Sequence, residues 1–502
     1  MVPESQCVSF SFVWRSSEIT SAVIEQARHN GVRALFDLTQ TSLEKAAAEL
    51  LVADATGDCA EVRLSVPALQ DNSAREFMIE TGLERLWINV DSCLGEDRVR
   101  QTMQAVSDLN DSFTVIPIVS DPKLAQLILG DYPAIGEIAL KGSEASGLVG
   151  SETAFSMFSW LQNYSKGIGR SLKVYIWGSV ARPELAAAFV SAGASGIVFE
   201  SIHWCTDLVE ASQQLKQKIS GIRLEHTDLV GGSLGVSCRL YNKGNSRAVK
   251  ALRDFTATLC SSDVGQVEID FFTDKIDRES IHALESELGR EELIPLGVEV
   301  AFAGDFVNRY GSDTEKAISA FVKKIKTSLD DAGKASERFV NSSVAAEMGT
   351  TYPFIQGAMS WITDVPEFAL MVAKAGALPT VALGLMNGET LSTKLASMSE
   401  VMDGRPFAVN VITLMENPYR CEQLEWIESV RPRFAVIAAG EPSHAAQIKG
   451  KGIEPIYIAP NEDLMKLALE LGVSYVVLEG AESGGHVGVH STMTLAQMCL
   501  AM

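Results

Sequence analysis

Tyr475-Val476-Val477-Leu478-Glu479-Gly480-Ala481-Glu482-Ser483-Gly484-Gly485-His486-Val487-Gly488 joins a short apolar run to a glycine-rich loop that carries a histidine. A run of this length bounded by turn residues reads as a buried β-strand, so the loop leaves the strand's carboxyl end. An earlier decapeptide, Lys141-Gly142-Ser143-Glu144-Ala145-Ser146-Gly147-Leu148-Val149-Gly150, agrees with Glu479 to Gly488 at five of ten positions. It has Leu148 where the later copy has His486. The chain therefore reads as one barrel built twice, with the acid/base group kept only in the second copy.

Upstream of the first decapeptide and just beyond it, apolar β-rich runs alternate with amphipathic segments at roughly 25-residue spacing, the pattern of repeated βα units around a parallel sheet. Eight runs fall at 8–13, 34–38, 61–66, 85–90, 113–119, 137–140, 173–177 and 196–199. Eight strands predict a closed (β/α)8 barrel. The rhythm breaks over 206–348, which reads as barrel tail, inserted subdomain and linker, with 330–337 as the best connector candidate. It restarts at Tyr352, with strands expected at 353–356, 380–383, 407–411, 434–437, 454–458 and 475–479. The fold class is thus α/β, with tandem TIM-barrel-like domains at 1–205 and 349–502. Six strands fit before Met502, so the second barrel reads as incomplete and the chain as the front of a longer polypeptide.

Composition narrows the function classes. The chain has 502 residues, 46% hydrophobic content and 39 glycines, enough for two filled cores of the α/β kind. A formal net charge of −22 argues against sequence-independent nucleic-acid binding and against anionic membrane surfaces. Eight scattered cysteines form no Cys-x-x-Cys pair, so neither a disulfide framework nor a zinc knuckle is signalled and a reducing cytoplasm is the expectation. No secretory leader and no apolar stretch long enough for a membrane helix is evident.

A parallel barrel gathers its active site at the carboxyl ends of the strands. In the second copy, Gln356-Gly357-Ala358-Met359 follows the first strand, Asn410 closes the third, Ala438-Ala439-Gly440 follows the fourth and the His486 loop follows the sixth. Glycine and alanine here let backbone amides approach a flat or phosphorylated ligand closely.

This ordered set, beginning at Tyr352-Pro353-Phe354-Ile355 and running through Ala373-Lys374-Ala375-Gly376-Ala377 and Pro406-Phe407-Ala408-Val409-Asn410 to the Glu-Ser-Gly-Gly-His core, resembles the nitronate monooxygenase family. That family was formerly called 2-nitropropane dioxygenases and is related to the FMN-dependent enoyl reductases of polyketide and polyunsaturated fatty-acid synthases. The resemblance implies FMN as cofactor, with Gln356, Gly357, Ala358 and Met359 lining the flavin, Asn410 touching its ring or ribityl chain, and Gly484 and Gly485 packing against it. Glu479 lies where many members carry glutamine, which places a carboxylate beside the ring. His486 would face the substrate, and an unperturbed pKa near 6.5 suits it to acid or base work. The implied substrate is a nitronate or, in the enoyl reductase alternative, an enoyl thioester, with an acyl carrier protein or other synthase domains as possible partners. The family's phosphate-gripping loops follow its seventh and eighth strands, beyond Met502, so weak FMN binding by this chain alone is expected. The first copy resembles the family more distantly, with Asn89 as a mirror of Asn410, and Leu148 and Trp177 suggest a catalytically silent barrel serving as scaffold or docking surface.

Competing readings are weaker. His490 lies four residues from His486, but no third ligand at zinc spacing appears. His203-Trp204-Cys205 follows the eighth run, yet neighbours in an extended chain face opposite ways, which favours packing and surface roles. Lys141 stands at the place of Glu479, either binding an anion or pairing with Glu144. A non-catalytic barrel pair that binds an acyl chain or a protein is the alternative outside enzymology.

Overall fold

Eight parallel strands close on themselves in the computed structural model, which describes residues 8–55, 59–65, 73–90, 96–110, 112–259, 264–332, 334–340, 342–384, 386–485 and 487–502. The chain divides into two compact units, Met1–Asp330 and Asp331–Met502. In the first, the strands run β1 (Ser9–Arg15), β2 (Arg33–Asp37), β3 (Ala60–Leu64), β4 (Arg85–Val90), β5 (Thr114–Val119), β6 (Glu137–Lys141), a short β7 (Gly147–Val149), β8 (Lys173–Trp177) and β9 (Gly196–Phe199). All but β7 form the barrel, in the order β1-β2-β3-β4-β5-β6-β8-β9. These are the eight runs expected from the sequence.

The barrel closes where β9 pairs with β1. Gly196 permits it, because a Cβ there would lie 2.5 Å from the Ser9 carbonyl oxygen and 2.7 Å from the Tyr175 ring. Alternation along each strand sends one set of side chains inward. Leu35, Trp87, Ile116, Ala139, Tyr175, Trp177 and Val198 form one buried cluster from six different strands, so the lumen is a packed core. At the amino ends of the strands the inward positions are charged. Glu61 there meets Arg33, Arg85 and the Trp87 indole N–H, and Glu137 meets Arg85, Lys173 and the Tyr175 hydroxyl.

After the barrel, β10 (Thr227–Val230) and β11 (Ser237–Tyr241) join β7 in an antiparallel sheet of order β10-β11-β7. Helices Arg247–Leu259 and Gln266–Glu279 cover it through a core that includes Leu240, Val249, Leu252, Phe272 and Ile276.

The second unit holds a parallel sheet in simple order: β12 (Thr380–Ala382), β13 (Ala408–Ile412), β14 (Phe434–Ala438), β15 (Glu454–Ala459) and β16 (Tyr475–Leu478). Two sequence expectations shift. The strand at 353–356 contracts to a single parallel bridge, Ile355 to Leu378, since Pro353 has no amide to donate to a ladder. The connector at 330–337 is largely helical. Helix Thr314–Ala332 runs into it because Ala317, Ile318, Phe321, Val322 and Ile325 give it a continuous buried stripe, and helix Ala335–Val340 follows. Gly333 lies outside the described residues. No helix among the described residues is long and apolar enough to cross a membrane.

Candidate functional site

Parallel pairing puts every loop that follows a strand on one edge of the second sheet. Gln356 anchors the first of these loops. Its side-chain Oε1 accepts the Thr380 amide at 3.1 Å, and its Nε2 donates to the Gly357 carbonyl. Gly357 and Met359 are exposed and Ala358 is half-buried. A Cβ at Gly357 would meet nothing within 4 Å. Beyond it, Trp361 is 84% exposed and Ile362 is 54% exposed, so this loop offers apolar surface.

Asn410 lies in the middle of β13 rather than at its end, one register pair from β14. It is 7% exposed, and its Nδ2 donates to the Val436 carbonyl at 3.2 Å. It alternates with Ala408, so it belongs to the sheet face whose core holds Ala408, Phe434, Val436 and Ile456. Glu479 follows β16, held by its amide to the Ala459 carbonyl at 3.0 Å. Alternation with Tyr475 and Val477 assigns it to the same face. Three strand intervals separate the two, about 14 Å across the sheet.

The two decapeptide loops share a hydrogen-bond plan at a constant offset in sequence. Ala145 N donates to Gly142 O at 3.0 Å, and Ser483 N to Gly480 O at 3.0 Å. Ser143 N reaches Glu152 O and Ala481 N reaches His490 O, both at 2.8 Å. Glu144 accepts the Ala154 amide at 3.0 Å, and Glu482 accepts the Thr492 amide at 2.9 Å, so each glutamate satisfies an amide that opens the next helix. Gly147 and Gly485 both have positive φ, 70° and 88°. A side chain at Gly150 would collide with the Ser120 carbonyl, and one at Gly488 with the Pro460 carbonyl, each just past a fifth strand. Gly488→Ala should therefore destabilise the second unit by about 1–3 kcal/mol, seen as a lower unfolding temperature; unchanged stability would contradict this packing.

The loops differ where their chemistry differs. Leu148 lies in β7, opposite Cys238 of β11, and packs on the subdomain core. His486 lies outside the described residues. Beside it, Gly484 and Gly485 are exposed, with nothing within 4 Å of an added Cβ. Lys141, at the place of Glu479, is buried and donates to the Leu148 carbonyl at 3.1 Å.

Asn89, the expected mirror of Asn410, is hydrogen-bonded within the first barrel. It lies on the fourth barrel strand and accepts a hydrogen bond from Arg63 Nε at 3.1 Å. Arg63 also pairs with Asp37 at 2.9 Å and stands over the Trp177 ring. His203 is fully buried, not a surface group. Its ring packs on Phe12 and Trp14, and burial pushes its pKa down to about 3. Burial also pushes the Cys205 thiol up to about 11, which leaves no nucleophilic pair there. Among the described residues no group of three metal-ligating side chains is assembled.

A closed βα barrel followed by a second parallel sheet with its loops gathered at one edge defines a protein of the TIM-barrel class. The chain resembles the nitronate monooxygenase family, whose sequence model matches residues 341–501. A curated relative from Rhodococcus jostii (strain RHA1), a (3aS,4S,5R,7aS)-5-hydroxy-7a-methyl-1-oxo-octahydro-1H-indene-4-carboxyl-CoA dehydrogenase, is 28% identical over 149 residues, 30% of this chain. The chain spans 41% of that relative's length. Among solved structures, FabK from Thermotoga maritima is similar with a TM-score of 0.50 at 13% identity, over 66% of this chain and 97% of that one. The second unit alone is too short to supply such coverage, so the likeness in fold includes residues of the first. The enoyl reductase domain of MlnA from Bacillus amyloliquefaciens aligns over 65% of this chain and 95% of its own, with 13% identity and a TM-score of 0.47.

Proposed function

We propose that the chain is an FMN-dependent oxidoreductase of the nitronate monooxygenase type, with its flavin at the carboxyl edge of the second sheet. The observation that carries this reading is the family match over 341–501 together with the bare backbone at Gly357, Gly484 and Gly485. That edge fits the group. Open glycine backbone and the exposed apolar surface of Met359, Trp361 and Ile362 suit a flat aromatic ring. Gln356, Gly357, Ala358, Met359, Asn410, Glu479, Gly484 and Gly485 would hold it, and FMN when bound would supply the redox chemistry.

The protein's own contribution is proton handling and orientation. His486 takes the proton from the carbon that bears the nitro group, or holds a nitronate oxygen by hydrogen bonding. Gln356, tied to Thr380, and Asn410, tied to Val436, are held in place before a ligand arrives. A carboxylate at Glu479 disfavours negative charge developing nearby, so Glu479→Gln should ease reduction of the cofactor.

The test is a titration of the protein with FMN, followed by flavin absorbance and fluorescence. Weak but saturable binding is expected, and Gly484→Ala should weaken it further without lowering stability, because its Cβ meets nothing in the protein. No saturable binding would favour the reading as a non-catalytic scaffold. A second substrate class is favoured by one observation: the curated relative is named for a CoA thioester. Oxygen uptake with a nitroalkane, set against nicotinamide-driven reduction of an enoyl thioester, separates the two. A carrier protein as partner follows only from the second outcome.

A further inference from the structure

In eight-stranded parallel barrels the loops after the seventh and eighth strands commonly make a phosphate site from backbone amides. The eighth strand of the first barrel is β9, and the turn that leaves it is Glu200-Ser201-Ile202. Its three successive amides converge on one side chain from far along the chain. Glu299 Oε1 accepts the amides of Ser201 at 2.8 Å and Ile202 at 2.7 Å, and Oε2 accepts that of Glu200 at 3.2 Å. Consecutive amides directed at one acceptor form a nest suited to an anion.

The carboxyl is delivered deliberately. Glu299 is 1% exposed, in the short 3-10 helix Val298–Phe302, and the Val298 amide is fixed to the Glu144 carbonyl at 2.9 Å. Gly297 allows this approach, since a Cβ there would lie 2.9 Å from Glu200 Oε2 and 3.0 Å from both Glu144 O and Ser146 N. The Ser201 hydroxyl, buried in the same turn, has no hydrogen-bond partner among the described residues. The same turn thus carries a fourth polar group that Glu299 does not use.

We infer that Glu299 is a built-in substitute for phosphate, so that the first barrel keeps its anion nest but fills it internally and takes no phosphorylated ligand. With Glu299 removed, the nest and the Ser201 hydroxyl form a site for inorganic phosphate or a phosphate monoester. This does not depend on the flavin reading of the second unit.

The experiment compares full-length wild type with Glu299→Ala, titrating inorganic phosphate against chloride of equal ionic strength and following thermal unfolding by tryptophan fluorescence. Burial pushes the Glu299 carboxyl up to about 8, although the Ser201, Glu200 and Ile202 amides favour its charged form, so the titration is run above that pH. Expected are a variant unfolding at lower temperature in chloride, a saturable upward shift with phosphate, and no such shift in wild type. A folded variant with no phosphate response, or a wild type that responds equally, overturns the inference. If Glu299→Ala does not fold in chloride, refolding restored by phosphate or acetate supports it, and failure of both anions overturns it.

Discussion

Replacing His486 with alanine is expected to lower turnover by about 10²–10⁴-fold, the range for loss of a positioned acid/base group. Flavin binding should be nearly unchanged, because the loop's own supports lie elsewhere. The start of the loop is tied to the segment that follows it by Ala481 N to His490 O and by Glu482 on the Thr492 amide and hydroxyl. If His486 carries the proton, the limb it imposes on the pH profile of kcat/KM should be absent from the variant. Equal turnover in the two proteins would remove His486 from the chemistry. The converse substitution, Leu148→His, is not expected to create activity in the first unit. Leu148 is part of a strand whose packing on Cys238 and its neighbours leaves its side chain facing a core rather than a ligand.

The largest stability effect is expected at Glu61. It is fully buried, accepts from the Trp87 indole at 2.9 Å and meets Arg33 at 3.1 Å as well as Arg85. Glu61→Ala removes one side of this network, taking a carboxylate from Arg33 and one of two from Arg85, for about 3–5 kcal/mol. Glu61→Gln keeps the shape and an acceptor and should cost less. Glu137, the second carboxylate of the network, adds a pH signature. Burial would raise its pKa, but Arg85, Lys173 and Tyr175 outweigh that and hold it below the usual carboxylate value. A depressed folded-state pKa contributes stability above the unfolded value, about 4.3, and that stability is lost as pH falls through the folded value. Acid unfolding followed from pH 6 downward should therefore begin below about pH 4.5 and be blunted in Glu137→Gln. A barrel indifferent to both substitutions would refute the network's role.

All eight barrel strands were legible because each is a short apolar run bounded by turn residues, and their spacing fits βα units. Charged inward residues such as Arg63 and Glu137 did not hide them, since outward neighbours stayed apolar. The subdomain sheet was not legible. Gly147-Leu148-Val149 is too short to signal a strand, and only its partner β11 makes it one. The Glu299 nest joins residues nearly a hundred positions apart, and no local pattern announces it. The repeated loop was legible down to its glycines, because Gly150 and Gly488 face a backbone carbonyl and tolerate no side chain.

The exposure of Trp361 gives the protein an optical consequence. Of its seven tryptophans, Trp14, Trp87, Trp177 and Trp204 are buried in the first unit, whereas Trp361 stands 84% exposed on the loop after Ile355. Emission excited at the red edge should favour that one indole, and a yellow chromophore arriving beside it would quench it by energy transfer. The chain thus carries its own reporter for one loop, spectrally separable from the emission that tracks the barrel.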